Sequence, residues 1–155
     1  MICGKMASGK STLAARLASA EGAVLISEDA WLAALFSEDM HSGADYLRCA
    51  AKLRQAMGPH VTALLRVGVP VVLDYPANTV EQREWMRGLV AGTGADNRLH
   101  LLMTPDALCL ERLRARNAAG DHPFAPTEEQ FHRFAKHFVP PREAEGFTIV
   151  THEVD

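Results

Sequence analysis

Two spacings of apolar residues alternate along this chain. After residue 10, Leu13 and Leu17 fall on one helical face, and residues 11–20 read as a helix. The apolar run Ala23-Val24-Leu25-Ile26 reads as a strand, with Ser27, Glu28 and Asp29 at its C-terminal end. Trp31, Leu32, Leu35 and Phe36 open a second helix, and the polar residues 37–44 form a loop. A longer helical pattern runs over residues 45–67, with Leu47, Ala50, Leu53, Met57, Val61 and Leu64 among its apolar positions. Gly58-Pro59 interrupts it, and a proline there must kink the helix or start a new one. Val69 to Asp74 is apolar almost throughout, the pattern of a parallel strand buried on both faces, and it ends in a carboxylate.

The second half repeats the alternation. Thr79 and Gln82 form a capping box for a helix reaching Val90, closed by Gly92 and Gly94. Leu99 to Met103 is a fourth strand. Thr104-Pro105-Asp106 is a helix start: N-cap, proline at the first position, an acid in the first turn. That helix extends to about Asn117, and a breaker-rich stretch from Gly120 to Pro126 follows. Thr127 and Gln130 form a second capping box, ahead of a helix with Phe131, Phe134, Ala135 and Phe138 on one face. Pro140-Pro141 stops that helix, and Phe147 to Val150 is a last strand. Strands alternating with helices predict an α/β domain with a parallel sheet covered on both faces.

Composition narrows the class. A chain of 155 residues predicts one domain, 1–155, able to bury an ordinary core. A net charge of −3 gives no global basic field for nucleic acid. Cys3, Cys49 and Cys109 are odd in number and scattered, which predicts reduced, buried thiols and a cytoplasmic location. No run of about 18 apolar residues exists, so no membrane span is expected, and no signal peptide is recognisable. Only three residues precede Gly4. Either the first strand is very short or the chain begins upstream, and the sequence leaves both open.

Gly4-Lys5-Met6-Ala7-Ser8-Gly9-Lys10-Ser11 matches G-x-x-x-x-G-K-[ST], a phosphate-binding loop between a strand and a helix. Glycines let the backbone wrap phosphate oxygens with its N–H groups, and the helix N-terminus favours anions. The pattern assigns nucleotide contacts to Gly4 through Ser11 and to Thr12, a phosphate charge to Lys10, and Mg²⁺ ligation to Ser11. Asp74 has the position of the second Mg²⁺ carboxylate, directly or through water. No Asp-x-x-Gly follows at Asp74, no Asn-Lys-x-Asp occurs, and no second catalytic glutamate comes after Asp74. That set points away from GTPases and ATPases and toward a kinase.

A kinase needs a base, cations over the transferred phosphoryl group and an acceptor site. Asp29, after the second strand, is the base candidate, with N-capping as its structural alternative and Ser27 or Glu28 as stand-ins. Arg112 and Arg116 share a helix face ahead of a lid spanning about 112–127, and both are favoured over Arg114. Trp31, Tyr46, Arg48, Lys52, Asn78 and Arg83 border the acceptor side, where each has a core or surface role as its alternative.

The chain resembles the small P-loop kinases that include phage polynucleotide kinase, zeta toxins and chloramphenicol phosphotransferase. It looks most like the bacterial "AAA family ATPase" proteins placed with them. Gly4–Ser11, Ile26 to Trp31, Asp74-x-x-x-Asn78 with Arg83, and Arg112-x-x-x-Arg116 carry the resemblance. It implies a three-layer sandwich on a five-stranded parallel sheet of order 2-3-1-4-5, with a small lid. It also implies ATP·Mg²⁺ as donor and a hydroxyl as acceptor. The family's base maps onto Asp29, its strand-end acid onto Asp74 and its lid cations onto Arg112 and Arg116. Glu28, Ala30 and Leu32 stand where polynucleotide kinase has basic residues. The expected acceptor is therefore a small molecule (an antibiotic, sugar or nucleotide derivative). A 5′-hydroxyl oligonucleotide and a non-catalytic ATP-binding switch are the alternatives. Oligomeric state is left open.

Overall fold

The structure is a computed structural model and describes residues 1–120 and 124–153. In chain order its elements are β1 (Ile2–Cys3), α1 (Lys10–Glu21), β2 (Val24–Ser27), α2 (Glu28–Phe36), α3 (Gly43–Arg66), β3 (Val71–Asp74), α4 (Val80–Val90), β4 (Arg98–Met103), α5 (Asp106–Ala119), α6 (Glu128–Ala135) and β5 (Thr148–Glu153). Strands and helices alternate as the hydrophobic pattern requires.

All pairings are parallel. They form two ladders, β2-β3 and β1-β4-β5. Both are segments of the expected order 2-3-1-4-5, but among the described residues no ladder joins β3 to β1. Strand β1 is two residues long and spends them on β4, pairing Ile2 with His100 and Cys3 with Leu101. Helix α1 bridges the ladders by packing on β1, β2 and β3.

Pleating divides the core. Ile2, Val72 and Leu102 meet Leu13, Ala14 and Ala18 of α1 on one face. Cys3, Leu73 and Leu101 turn the other way, toward Leu53, Met57 and Val61 of α3 and Met86 and Leu89 of α4. Successive strand residues point to opposite faces and both faces are covered, hence the unbroken apolar runs. All three cysteines are free and buried.

Three boundaries differ from the sequence reading. Pro59 neither kinks nor restarts the helix into two: Gly43–Arg66 is one helix with Pro59 inside it. The proline and Gln55, whose carbonyl loses its partner, are both exposed, so water can meet that carbonyl. Helix α2 starts at Glu28 rather than Trp31, with the Ser27 hydroxyl accepting from the Ala30 N–H at 3.4 Å. Thr104 does not cap α5; its hydroxyl donates to the Ser8 carbonyl at 2.9 Å, and Pro105 takes the cap position. Both predicted capping boxes, Thr79/Gln82 and Thr127/Gln130, are formed. Part of the expected lid, residues 121–123, lies outside the described residues.

Candidate active site

The loop from Gly4 to Gly9 connects β1 to α1 at the C-terminal edge of the sheet. Its conformation needs its small residues. Gly9 has φ 101°, a left-handed conformation that side chains resist. A Cβ on Gly4 would stand 2.7 Å from the Ser8 Oγ and 3.2 Å from the Leu102 Cβ. Met6 and Ala7 pack against Cys109, Leu113 and Phe131, so α5 and α6 form the seat of the loop.

Lys10 folds back over the loop. Its Nζ donates to the Gly4 carbonyl at 2.9 Å and the Lys5 carbonyl at 2.7 Å. Burial lowers its pKa, while Asp74 and Asp29 oppose that shift. Ser8 Oγ is buried without a hydrogen-bond partner among the described residues. An orphaned hydroxyl, a turned-in ammonium and a cradle that a Cβ would fill are features a bound phosphate chain would satisfy. The residues present therefore fit a nucleotide. Ser11 and Thr12 are exposed at the first turn of α1. The Lys5 ammonium pairs with Asp106, so its side chain serves the loop's anchorage to α5.

Asp74 ends β3 in register with Ser27, which ends β2. Asp29 stands in the first turn of α2, two residues beyond Ser27. Ser27 fills the cap, so N-capping does not account for Asp29. From α5, Arg112 Nη1 donates to the Ser8 carbonyl at 3.4 Å and would stand 3.7 Å from a Cβ on Gly9. Burial lowers the Arg116 pKa, against the pull of Asp29. Its Nε is buried without a partner among the described residues. Arg114 instead forms two 2.7 Å hydrogen bonds with Glu128, exposed on the far side. Lys10 and Arg112 thus both reach the loop backbone, Asp74 and Asp29 act on Lys10, Asp29 acts on Arg116, and Arg114 is turned to Glu128 instead.

Five of the acceptor-side candidates have the following surroundings. Asn78 Oδ1 accepts the Gly4 N–H at 3.1 Å, holding the start of the loop. Arg83 is fully buried; it forms two hydrogen bonds with Glu145 and donates to the carbonyls of Ala77 and Val139. Four of its five donors are spent on the fold. Trp31 is 42% exposed on α2. Arg48 is exposed and pairs with Asp45, and Lys52 is exposed.

Sequence reasoning named Glu28 only as a stand-in for Asp29 and missed its burial and its partners. Glu28 is 1% exposed and accepts from Tyr46 Oη and Arg54 Nε, both at 3.0 Å. Burial raises its pKa, and Arg54 and Tyr46 oppose that. The Arg54 guanidinium lies over the Trp85 ring, 5.5 Å from its centroid. Glutamates are seldom fully buried unless paired. The pairing partner lies 26 residues away, so no local motif announces it.

A family model described as an AAA domain matches residues 1–141. No curated protein matches the chain. Among solved structures, a provisionally described kinase of Chloroflexus aurantiacus j-10-fl is 21% identical with TM-score 0.77, covering 98% of this chain and 82% of its own. A gluconokinase from Sinorhizobium meliloti 1021 is 20% identical with TM-score 0.61, over 99% of this chain and 80% of its own. Mycobacterium tuberculosis APS kinase CysC, in complex with AMPPNP and APS, is 23% identical with TM-score 0.54, over 88% and 94%. These likenesses establish the P-loop kinase-like fold.

Proposed function

The chain belongs to the AAA domain family, and from that premise we propose that it is an ATP-dependent kinase acting on a hydroxyl of a small molecule. One observation carries the reading. Asp29 stands in the first turn of α2, two residues past Ser27, whose strand end is in register with Asp74, and its charge favours the protonated forms of Lys10 and Arg116. A carboxylate at that strand edge, with Lys10 and the half-buried Arg116 in its field, supports an acceptor hydroxyl meeting the γ-phosphoryl group there.

In this reading N–H groups of the loop between Lys5 and Ser11 and the Lys10 ammonium hold the β- and γ-phosphates, while the Gly4 N–H stays with Asn78. Asp29 accepts the proton of the acceptor hydroxyl, whose oxygen bonds to the γ-phosphorus as the bond to the β-phosphate oxygen breaks and ADP leaves. Arg112 and Arg116 neutralise charge spread over the transferring oxygens. Ser11 and Asp74 would hold Mg²⁺, which supplies charge neutralisation on the phosphates. The part of α5 that carries Arg112 and Arg116 would act as the lid. A net charge of −3, and an Arg48 that is paired with Asp45, favour a small acceptor over a polyanion.

ADP release from ATP·Mg²⁺, screened over sugars, antibiotics, nucleosides and a 5′-hydroxyl oligonucleotide, tests the reading. Stimulation by one small-molecule class supports it. Stimulation by the oligonucleotide alone moves the acceptor to nucleic acid. A flat screen with ATP bound makes the chain a nucleotide-dependent switch. Under the active acceptor, Asp29→Asn abolishes transfer with ATP affinity kept; full turnover in that variant removes Asp29 as base.

A further inference from the structure

Beside Asp29 in the first turn of α2, Glu28 anchors a group of polar and aromatic side chains that the reaction above does not use. Glu28 Oε1 accepts from Arg54 Nε and Oε2 from Tyr46 Oη, so both oxygens are engaged. The Arg54 guanidinium also lies over the Trp85 ring. That indole rests along α3: its Nε1 is 3.8 Å from the place a Cβ on Gly58 would take, and Arg54 and Gly58 share a helix face at i,i+4. Tyr75, one residue past Asp74, has its ring centroid 5.5 Å from that of Trp85.

This arrangement fixes a cation and leaves most of its donors unused. A guanidinium carries five N–H donors in a planar fork. The Arg54 Nε–H goes to Glu28 and its face to Trp85, while Nη1 and Nη2 have no hydrogen-bond partner among the described residues. The Arg54 side chain is 25% exposed and that of Glu28 is 1%, so the open part of the pair belongs to the arginine. The Tyr75 hydroxyl is buried without a partner among the described residues, and Glu28 and Arg54 both act on it. Arg48 and Arg83 differ: the first is paired with Asp45, and the second spends its donors on Glu145 and two carbonyls. The end of a held guanidinium is the fork that grips two oxygens of one carboxylate or phosphate.

We infer that Arg54 sets the specificity of the acceptor site: it holds an anionic group, a carboxylate or a phosphate ester, on the same small molecule whose hydroxyl meets Asp29. The inference rests on the kinase reading for the hydroxyl, but the anion site is readable without turnover. Glu28 joins the two ends, because its neighbour in the chain is the base and its partner is the cation. Glu28 and Trp85 hold the guanidinium in place before any ligand arrives, which lowers the ordering cost of capturing the anion. An uncharged acceptor would leave the Nη fork to water.

Trp85 reports the site directly, since Trp31→Phe leaves it the sole tryptophan. Glycerate, glycerol phosphate and uncharged glycerol are titrated against its fluorescence with ADP·Mg²⁺ saturating, so that the phosphate loop is already filled. The expected result is a saturable change with one or both anions and none with glycerol; which anion acts separates carboxylate from phosphate. Arg54→Lys keeps the charge but loses the fork, and weakens that anion at least ~10-fold. The double variant Glu28→Gln, Arg54→Gln leaves no unpaired charge buried, and it abolishes the response. No response to either anion, or a response that survives unchanged in both variants, overturns the inference. Turnover separates the inference from the kinase reading. With an anionic acceptor from the ADP-release screen, Arg54→Lys raises the acceptor KM at least ~10-fold and leaves the KM for ATP unchanged. A fall in kcat with the acceptor KM unchanged makes Arg54 a structural residue and overturns the inference. Turnover of uncharged acceptors alone overturns it while the kinase reading stands. A Trp85 response that requires Arg54, with no acceptor turned over, supports the anion site and removes the kinase reading.

Discussion

The Lys10 ammonium lies 2.9 Å from the carbonyl oxygen of Gly4, so the loop's cation is held by the loop's own backbone. A second carbonyl, that of Lys5, shares it at 2.7 Å. The lysine therefore has two jobs: it clamps the turn, and it is the charge nearest the bound phosphates in the proposed reaction. Lys10→Ala removes both. Turnover falls on the order of 10²–10³-fold, the scale of losing one preorganised charge at a transition state. Far-ultraviolet circular dichroism stays unchanged, because the core faces of α1, Leu13, Ala14 and Ala18, are untouched. Full activity in this variant removes the phosphate-loop assignment.

Asn78 reaches the loop from the segment between β3 and α4. Its Oδ1 accepts from the Gly4 N–H at 3.1 Å, and its own N–H donates to Gln82 Oε1 at 2.8 Å. Gly4 is buried. Asn78→Leu leaves its N–H without that acceptor, at a cost of about 1–3 kcal/mol. The expected result is ATP binding weakened roughly tenfold with the acceptor KM unchanged. A raised acceptor KM with unchanged ATP affinity would instead place Asn78 on the acceptor.

The three arginines of α5 should separate by geometry. Arg114 is committed to Glu128 on the exposed side, an ion pair that contributes about 0–1 kcal/mol. Arg114→Ala is expected to keep turnover within about twofold. Arg112 touches the Ser8 carbonyl, and Arg116 is half-buried with its Nε out of solvent and under the influence of Asp29. Alanine at either is expected to lower kcat by ~10²–10³-fold, below the upper range for arginines acting on a transferring phosphoryl group. Equal effects at all three positions in single-turnover ADP release would remove the distinction.

Much of this was legible in the sequence where local physics decides. The two capping boxes, the glycine-rich loop and the apolar strands each need only neighbours within a few residues. Asn78 and Arg83 were legible as polar residues near the cleft but not in their roles. The Asn78–Gly4 hydrogen bond spans 74 residues and the Arg83–Glu145 pair 62, separations at which no periodicity carries information. Pro59 misled because helix breaking depends on whether the orphaned carbonyl is wet, a tertiary fact. Strand order is seen in part: β2-β3 and β1-β4-β5 are segments of 2-3-1-4-5, and among the described residues no ladder joins β3 to β1.

Arg83 and Glu145 give the last prediction, and it concerns stability. Arg83 is fully buried, and the Glu145 side chain keeps 17% of its surface exposed. The guanidinium ties α4 to the turn Glu143–Glu145 and, through the carbonyls of Ala77 and Val139, to the segment carrying Asn78. Glu145→Gln leaves a buried positive charge facing a neutral amide, and breaking such a pair costs about 3–5 kcal/mol. The hydrogen bond from Arg83 is the main cause holding the Glu145 pKa below its usual value. A depressed carboxylate contributes stability above its unfolded pKa of about 4.3, and that contribution is lost as pH falls through the folded value. Urea unfolding should thus show the native chain losing stability between pH 5 and pH 3 more steeply than Glu145→Gln does. Replacing both partners with methionine should recover most of the single-variant loss at pH 7, because no uncompensated charge is then buried. A double variant as unstable as Glu145→Gln would mean that the carbonyls of Ala77 and Val139, left without Arg83, carry the larger share of the cost.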